Sequence, residues 1–410
     1  MSKRSNKRIL QRVKLITIIC AIILFIEVCF VLYSIFFKNK ESLYFDGINS
    51  IINNNSYYVT VGSNNDNDNH YEKAKLTKYS KKKEKVYEKL YNSGYNSAFF
   101  GVTFDEESIV AVGSYEKELE DHNNSIRKAL LVKYDEAGEV IFSRDFEILD
   151  NSKFTSIVKV DDGYLVTGQS VYMNTKVGTK EGGAVLVKYD YDGNMLWYKT
   201  YGNSKNAIFN DLLIINDSIY VVGTNDNNLG ILCKYDLAGN LIGYSDYKYT
   251  DDKGFSGIIN VNDKLYISGS TRVGNNLTNA MIAVYDLDCN YQNQVVYNGE
   301  GATRYNKLIV DRDNNIIGIG IKTTNKESSS RTANNVNYDG IIGKYTNDLK
   351  EVTVETYGDD RDDYFTDVIL VDNSYLVVGY SSYEDGSYLS KFIRYSDALK
   401  VLEVESWELL

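Results

Sequence analysis

Short apolar runs recur along this chain at a steady interval, separated by clusters of Asn, Asp and Gly. Seven times an apolar run closes on a glycine: Gly62, Gly113, Gly168, Gly223, Gly269, Gly320 and Gly379. Each is followed by a second run ending in tyrosine: Tyr79, Tyr134, Tyr189, Tyr235, Tyr285, Tyr345 and Tyr395. A period of roughly fifty residues over most of a chain marks stacked supersecondary units rather than independent domains. Ahead of each glycine run stands an aromatic with an aliphatic three residues on: Phe45 with Ile48, Phe99 with Val102, Phe154 with Ile157, Phe209 with Leu212, Phe255 with Ile258, Tyr305 with Leu308 and Phe365 with Val368. This spacing predicts a strand a, joined through turns such as Asp161-Asp162-Gly163 to a strand b that ends at the glycine. A glycine is expected there because the strand turns to positive φ or because another backbone comes close.

The tyrosine run, strand c, keeps its chemistry best. Five residues before the tyrosine the side chain is small (Ala74, Ala129, Ala184, Gly230, Ala280, Gly340, Ser390), and three before it is large and apolar (Leu76, Leu131, Leu186, Leu232, Ile282, Ile342, Phe392). Immediately before it stands Lys or Arg in six copies and Val284 in the other. Alternate positions share one face of a strand, so the small residue admits a neighbouring sheet and the large one fills the space between. Apolar residues also intervene, as in Ala184-Val185-Leu186-Val187, the pattern of a strand covered on both faces. A turn carrying Gly138, Gly193 or Gly239 leads to a strand d such as residues 195–201.

Four strands in each of seven copies predict an all-β, seven-bladed β-propeller of four-stranded antiparallel blades over residues 45–410. The blades fall near 45–98, 99–153, 154–208, 209–254, 255–304, 305–364 and 365–410. Each copy runs a to d in order, so the ring is expected to close by packing, without one terminus completing the other's blade. The repeats resemble the SBBP-type bacterial β-propeller repeats of extracytoplasmic proteins. In those, a strand ending in Gly precedes a lysine-bearing strand, a Gly turn and an aromatic strand; residues 163–202 match best. That resemblance implies a propeller fold and an extracytoplasmic place, and no particular activity.

Before the repeats lie a basic tail (1–14), an apolar stretch (15–37) and a linker (38–44). The apolar stretch would span about 34 Å as a helix at about 1.5 Å per residue, which is membrane length. Its length and the absence of a small-residue cleavage site predict a single-pass transmembrane anchor rather than a cleaved signal peptide. Cations crowd the tail, so the N-terminus is expected in the cytoplasm and the body outside the plasma membrane. Removing the six cations of residues 1–14 from the 45 Lys and Arg leaves 39 against 56 Asp and Glu, a formal charge of −17. Such a body repels nucleic acid and anionic lipid and tolerates cations and neutral sugars.

Of the 4 cysteines, Cys20 and Cys29 fall in the apolar stretch, leaving Cys233 and Cys289 as free thiols without a disulfide framework. Cys289 takes the turn position held elsewhere by Gly138, Gly193 and Gly239 and is expected to be exposed. There is no proline, so Asn, Asp and Gly must build the turns.

The chain has only 2 histidines, and no nucleophile-base set stands out. Asp66, Asp68 and His70 of blade 1 and Glu118, Asp121 and His122 of blade 2 fall in neighbouring b–c loops. Together they would hold a cation such as calcium, or they are two solvated polar loops; no known ligand spacing decides between these. Asp190-Tyr191-Asp192-Gly193-Asn194 opens like a calcium loop but lacks the closing glutamate, and is read as a c–d hairpin turn. Asp359, Asp360, Asp362 and Asp363 surround Arg361 before blade 7; they would bind calcium or a basic partner, or form a solvated charge run. Glu27 would meet another membrane helix, or stay protonated in its apolar surroundings.

These features point to a non-enzymatic, membrane-anchored scaffold whose loop face binds a protein or a cell-wall glycan. Two alternatives keep the fold: an assembly subunit of a membrane complex that uses Glu27, and a glycan-acting enzyme with a carboxylate pair in a central pocket.

Overall fold

The computed structural model describes residues 46–65, 71–91, 95–118, 125–146, 148–149, 151–171, 182–273, 277–324, 337–358, 361–382 and 387–406. They form seven four-stranded sheets, each built from four strands consecutive in sequence and each wholly antiparallel. Blade 1 runs Asp46–Asn53, Tyr57–Asn64, Lys73–Ser80 and Lys85–Tyr91; blade 7 runs Asp362–Val371, Ser374–Ser382, Tyr388–Ser396 and Val401–Ser406. Every strand a packs against the blades on both sides, and strand a of blade 1 lies against blade 7. Among the described residues the ring therefore closes through contacts between blades 7 and 1, with no exchanged strand.

In all seven blades strand a carries a β-bulge at the same place. The anchor residue faces the closing glycine of strand b: Ile48 opposite Gly62, Phe99 opposite Gly113, Phe154 opposite Gly168, Phe209 opposite Gly223, Phe255 opposite Gly269, Tyr305 opposite Gly320 and Phe365 opposite Gly379. The next residue is skipped by the register, and pairing resumes one residue later. The bulge accounts for the repeated glycine. In six blades a Cβ on it would strike the main-chain carbonyl just before the anchor; only Gly269 has looser surroundings. None of the seven has a positive φ, so close approach, not turn conformation, selects glycine here.

Two sequence expectations are corrected. In blade 1 the anchor and its aliphatic partner are Ile48 and Ile51, three residues beyond Phe45 and Ile48; Phe45 lies outside the described residues. Elsewhere the aromatic anchor packs edge-to-face on the strand-c tyrosine of its own blade, with ring centroids 6.1 to 6.3 Å apart. With Ile48 in that place, Tyr79 instead meets Phe392 of blade 7 at 5.1 Å. The second correction concerns Cys289, which is buried rather than exposed.

The reason for that burial is a volume exchange between neighbouring blades. The fourth residue after the strand-c tyrosine has positive φ in every copy: Lys83, Gly138, Gly193, Gly239, Cys289, Leu349 and Leu399. In blades 2 to 4 a Cβ on the glycine would strike Tyr87, Phe142 or Trp197, which stand at one shared position of strand d in the preceding blade. That position holds Gly243, Asn293 and Thr353 ahead of the larger Cys289, Leu349 and Leu399. Across the seam the same two positions hold Glu403 and Lys83, with 2.5 Å between carboxylate and amine.

Four of the six cations before the strand-c tyrosines are struts. Lys78, Lys133, Lys234 and Lys344 each donate from Nζ to a main-chain carbonyl in the c–d turn of the next blade: Glu136, Tyr191, Leu287 and Asp397. Blade 5 has Val284 there, and the Tyr266 hydroxyl reaches the equivalent carbonyl, Asn347, at 2.6 Å. Lys133 also meets Asp105 at 2.7 Å, where Lys159 and the Tyr164 hydroxyl converge at 2.6 Å each. Burial raises the Asp105 carboxyl, but these hydrogen bonds together outweigh it and hold it down at about 2.

Two predictions follow from this packing. Gly193→Leu overpacks the site beside Phe142 and costs about 2 kcal/mol in guanidinium unfolding. Adding Phe142→Thr, which copies the Thr353 and Leu399 pair, recovers at least half of that loss. The second concerns acid. The Asp105 value lies below the roughly 3.9 of an unfolded Asp, so its contribution is complete above about pH 4 and is lost as pH falls through about 2. Asp105→Asn should therefore lose about 2 kcal/mol at pH 7, a deficit that disappears near pH 2.

Candidate functional site

The bulge also builds the site. It leaves one residue of each strand a unpaired, turned toward the next blade and lining the axis of the ring: Asn49, Phe100, Thr155, Asn210, Ser256, Asn306 and Thr366. Five of these meet the anchor carbonyl of the following blade. Asn49 donates to Phe99, Thr155 to Phe209, Asn210 to Phe255, Asn306 to Phe365 and Thr366 to Ile48, over 2.6 to 3.0 Å. The last of these crosses the seam. At the two remaining junctions the following residue is glycine, and the strands themselves approach. A Cβ on Gly101 would lie 3.1 Å from Ser156 Cα, and one on Gly257 would lie 3.3 Å from the Asn306 carbonyl. All seven junctions are thus filled, by a side-chain bond or by bare backbone.

The belt encloses a central cavity of about 390 Å³, lined by strands a of all seven blades. The residue after the belt position is Ser50, Gly101, Ser156, Asp211, Gly257, Lys307 or Asp367, and all of these but Gly257 line the cavity. The charged members come from blades 4, 6 and 7. Lys307 Nζ lies 2.8 Å from Asp211 Oδ2, passing blade 5 where Gly257 leaves room. Asp211 also accepts from the Ser156 hydroxyl at 2.8 Å and the Ile258 N–H at 3.3 Å. Asp367 accepts from the Ser50 hydroxyl at 2.7 Å and from the N–H groups of Ile51 and Val368 at 3.0 and 2.9 Å. Burial lowers the Lys307 amine, but Asp211 and Asp367 outweigh it and hold it above its usual value. Burial raises the Asp367 carboxyl, with Lys307 and the three hydrogen bonds opposing.

These axial residues were not singled out from the sequence. Of those that were, Glu27, Asp66, Asp68, His70, Asp121, His122, Asp359 and Asp360 lie outside the described residues, as does the side chain of Glu118 at the end of its strand. Asp362 and Asp363 are described and sit within strand a of blade 7. Asp362 accepts from the Tyr338 N–H at 2.9 Å and the Ser382 hydroxyl at 3.2 Å; Asp363 pairs with Lys391 at 2.7 Å and with Ser381. Both tie strands together. Among the described residues no group of three or more His, Cys, Asp and Glu is placed to hold a metal ion, and no helix is long and apolar enough to cross a membrane.

No family model and no curated protein matches this chain. Solved structures do. A puromycin-hydrolyzing peptidase from Mycobacterium tuberculosis is similar over 88% of this chain and 53% of its own, at 9% identity and a TM-score of 0.54. This chain thus spans about half of that protein. A putative 6-phosphogluconolactonase from Bacteroides fragilis aligns over 79% and 87% of the two chains at 12% identity and a TM-score of 0.48. The Dos1 propeller aligns over 83% and 91% at 11% identity and 0.43. At such identities the likeness concerns fold alone.

The axial charges generate a test. Lys307→Met leaves Asp211 and Asp367 without their cation, so stability at pH 8 should fall by about 2 kcal/mol. Burial already raises the Asp367 carboxyl, and its protonation in acid removes one unpaired charge, so urea unfolding should show the gap from wild type narrowing as pH falls.

Proposed function

We propose that this chain is an SBBP-type propeller, held at the plasma membrane by residues 15–37, that binds a ligand or partner outside the cell without catalysing a reaction. The observation that carries this reading is the state of the axial charges. Each carboxylate in the cavity takes part in the bonding that holds neighbouring blades, and the amine is paired with one of them. A general acid or base must be free to exchange its proton with a substrate. Asp211, Lys307 and Asp367 instead shape a rigid polar well, ringed by Asn and Thr side chains whose donors are already directed at main chain. Rigid wells of this kind suit recognition, because the ordering cost of the site is met during folding. The acidic body and the b–c loops favour a cationic or neutral partner, and cell-wall glycans, basic protein segments and calcium are the classes that fit.

A second reading rests on one specific observation: Asp211 and Asp367 share a single cavity, as a glycan-acting enzyme requires of its two carboxyl groups. The assembly-subunit reading rests on Glu27 alone.

A thermal-shift panel on residues 41–410 separates them. Calcium, other divalent ions, cell-wall glycans and oligosaccharides are each tested against wild type and Lys307→Met. A ligand at a hundred times its dissociation constant stabilises by about 2.7 kcal/mol, which gives a clear rise in melting temperature. A shift lost in Lys307→Met without release of new reducing ends supports binding in the well. Release of reducing ends supports the enzyme, and a flat panel directs attention to a protein partner in the membrane.

A further inference from the structure

The two blades that flank the seam differ from the other five at two positions. Two residues before the strand-a anchor they carry Asp46 and Asp363, and four before the strand-c tyrosine they carry Lys75 and Lys391. The other blades have Ser97, Ser152, Ala207, Lys253 and Thr303 at the first position, and Leu130, Val185, Ile231, Met281 and Ile341 at the second. An acid and a base thus enter together, and only at the ends of the ring.

The two pairs are built differently. In blade 7, Lys391 Nζ lies 2.7 Å from Asp363 Oδ1 and 5.1 Å from the centre of the Tyr357 ring, whose face favours a charged ammonium. In blade 1, Lys75 Nζ and Asp46 Oδ1 are in direct contact, with side chains 1% and 8% exposed. Burial drives the Lys75 amine down to about 7, with Glu88 opposing and Lys85 adding to the fall. Ser390 of blade 7 completes the site. Its hydroxyl lies 3.0 Å from Asp46 Oδ1 and 3.5 Å from Lys75 Nζ.

We propose that Lys75 and Asp46 condense into an intramolecular amide, an isopeptide bond joining strands a and c of blade 1. In so dry a site, moving one proton from ammonium to carboxylate removes two buried charges at once and yields a free amine beside a carboxylic acid. The Nζ lone pair attacks Cγ, and negative charge develops on Oδ1, where the Ser390 hydroxyl donates. A proton from nitrogen passes to the Oδ2 hydroxyl, the Cγ–Oδ2 bond breaks, and one water leaves. Ammonium and carboxylate become amide and water, so no oxidant, reductant or co-reactant enters. Holding the amine against Oδ1 of the carboxyl group that it attacks supplies the rate, since a fixed geometry replaces a bimolecular encounter. Asp46 is the first residue of strand a, so tension on the preceding segment reaches the ring through it. The amide passes that load to strand c instead of peeling the first strand away.

Intact-mass spectrometry of the denatured full chain tests this. Wild type should weigh one water less than its sequence, and tryptic digestion should give one branched peptide joining the Asp46 and Lys75 segments. Lys75→Arg and Asp46→Ala should each restore the full mass, while Lys391→Arg keeps the loss. Either blade 1 variant could fail to fold, so the folded wild type decides. A full sequence mass, or a water loss that maps to another pair, overturns the proposal.

Discussion

One extra residue in the innermost strand of each blade sets the geometry of the ring. A sheet in a propeller has two faces to cover, and the strands nearest the axis have the least room in which to do it. The bulge after each anchor meets both demands. In five blades it turns a polar side chain onto the next blade's carbonyl, and in six it brings the strand's own main chain so close to strand b that only glycine fits opposite. The seam between blades 7 and 1 uses the same parts as the other junctions. Thr366 donates to the Ile48 carbonyl as Asn49 does to Phe99, and Asp367 receives the Ile51 N–H as Asp211 receives that of Ile258. A shared strand is therefore unnecessary for closure.

Where the seam departs from the pattern, it does so by substitution in pairs. Ile48 is smaller than the aromatic anchors, and Phe392 is larger than the aliphatics at its position; the two changes offset each other against Tyr79. Lys83 and Glu403 bring charge where other junctions trade a ring for a glycine. Interiors packed to crystal-like density tolerate a change on one side only when the other side yields the same volume.

Much of this was legible in the sequence, because sterics restrict residue choice wherever a backbone or a ring must fit. The closing glycines, the strand-c tyrosines and the small residues such as Gly340, which lies on Phe365, recur for that reason. The axial belt was not legible. Asn49, Asn210 and Asn306 perform one task with an amide and Thr155 and Thr366 with a hydroxyl, while at Gly101 and Gly257 the backbones themselves approach, so no single residue type recurs in all seven blades. The blade 1 register escaped because Phe45 mimics an anchor three residues too early. Cys289 looked exposed because turn residues usually are; it is buried in a cluster with Tyr220, Val222 and Leu232 of the preceding blade, a packing visible only once the blades are adjacent. The candidate cavity was hidden likewise, since Asp211, Lys307 and Asp367 are isolated charges in three different repeats.

The account stands on the seam being an ordinary junction, and native-state hydrogen exchange at two amides tests that directly. The Ile51 N–H is bonded to Asp367 across the seam, and the Ile258 N–H is bonded to Asp211 within the ring. Amides that open only with global unfolding exchange together, whereas a locally weak contact releases its amide early. Closure by equivalent contacts predicts matching protection of Ile51 and Ile258. Exchange at Ile51 orders of magnitude faster, with Ile258 still protected, would contradict it and leave the ring open between blades 7 and 1.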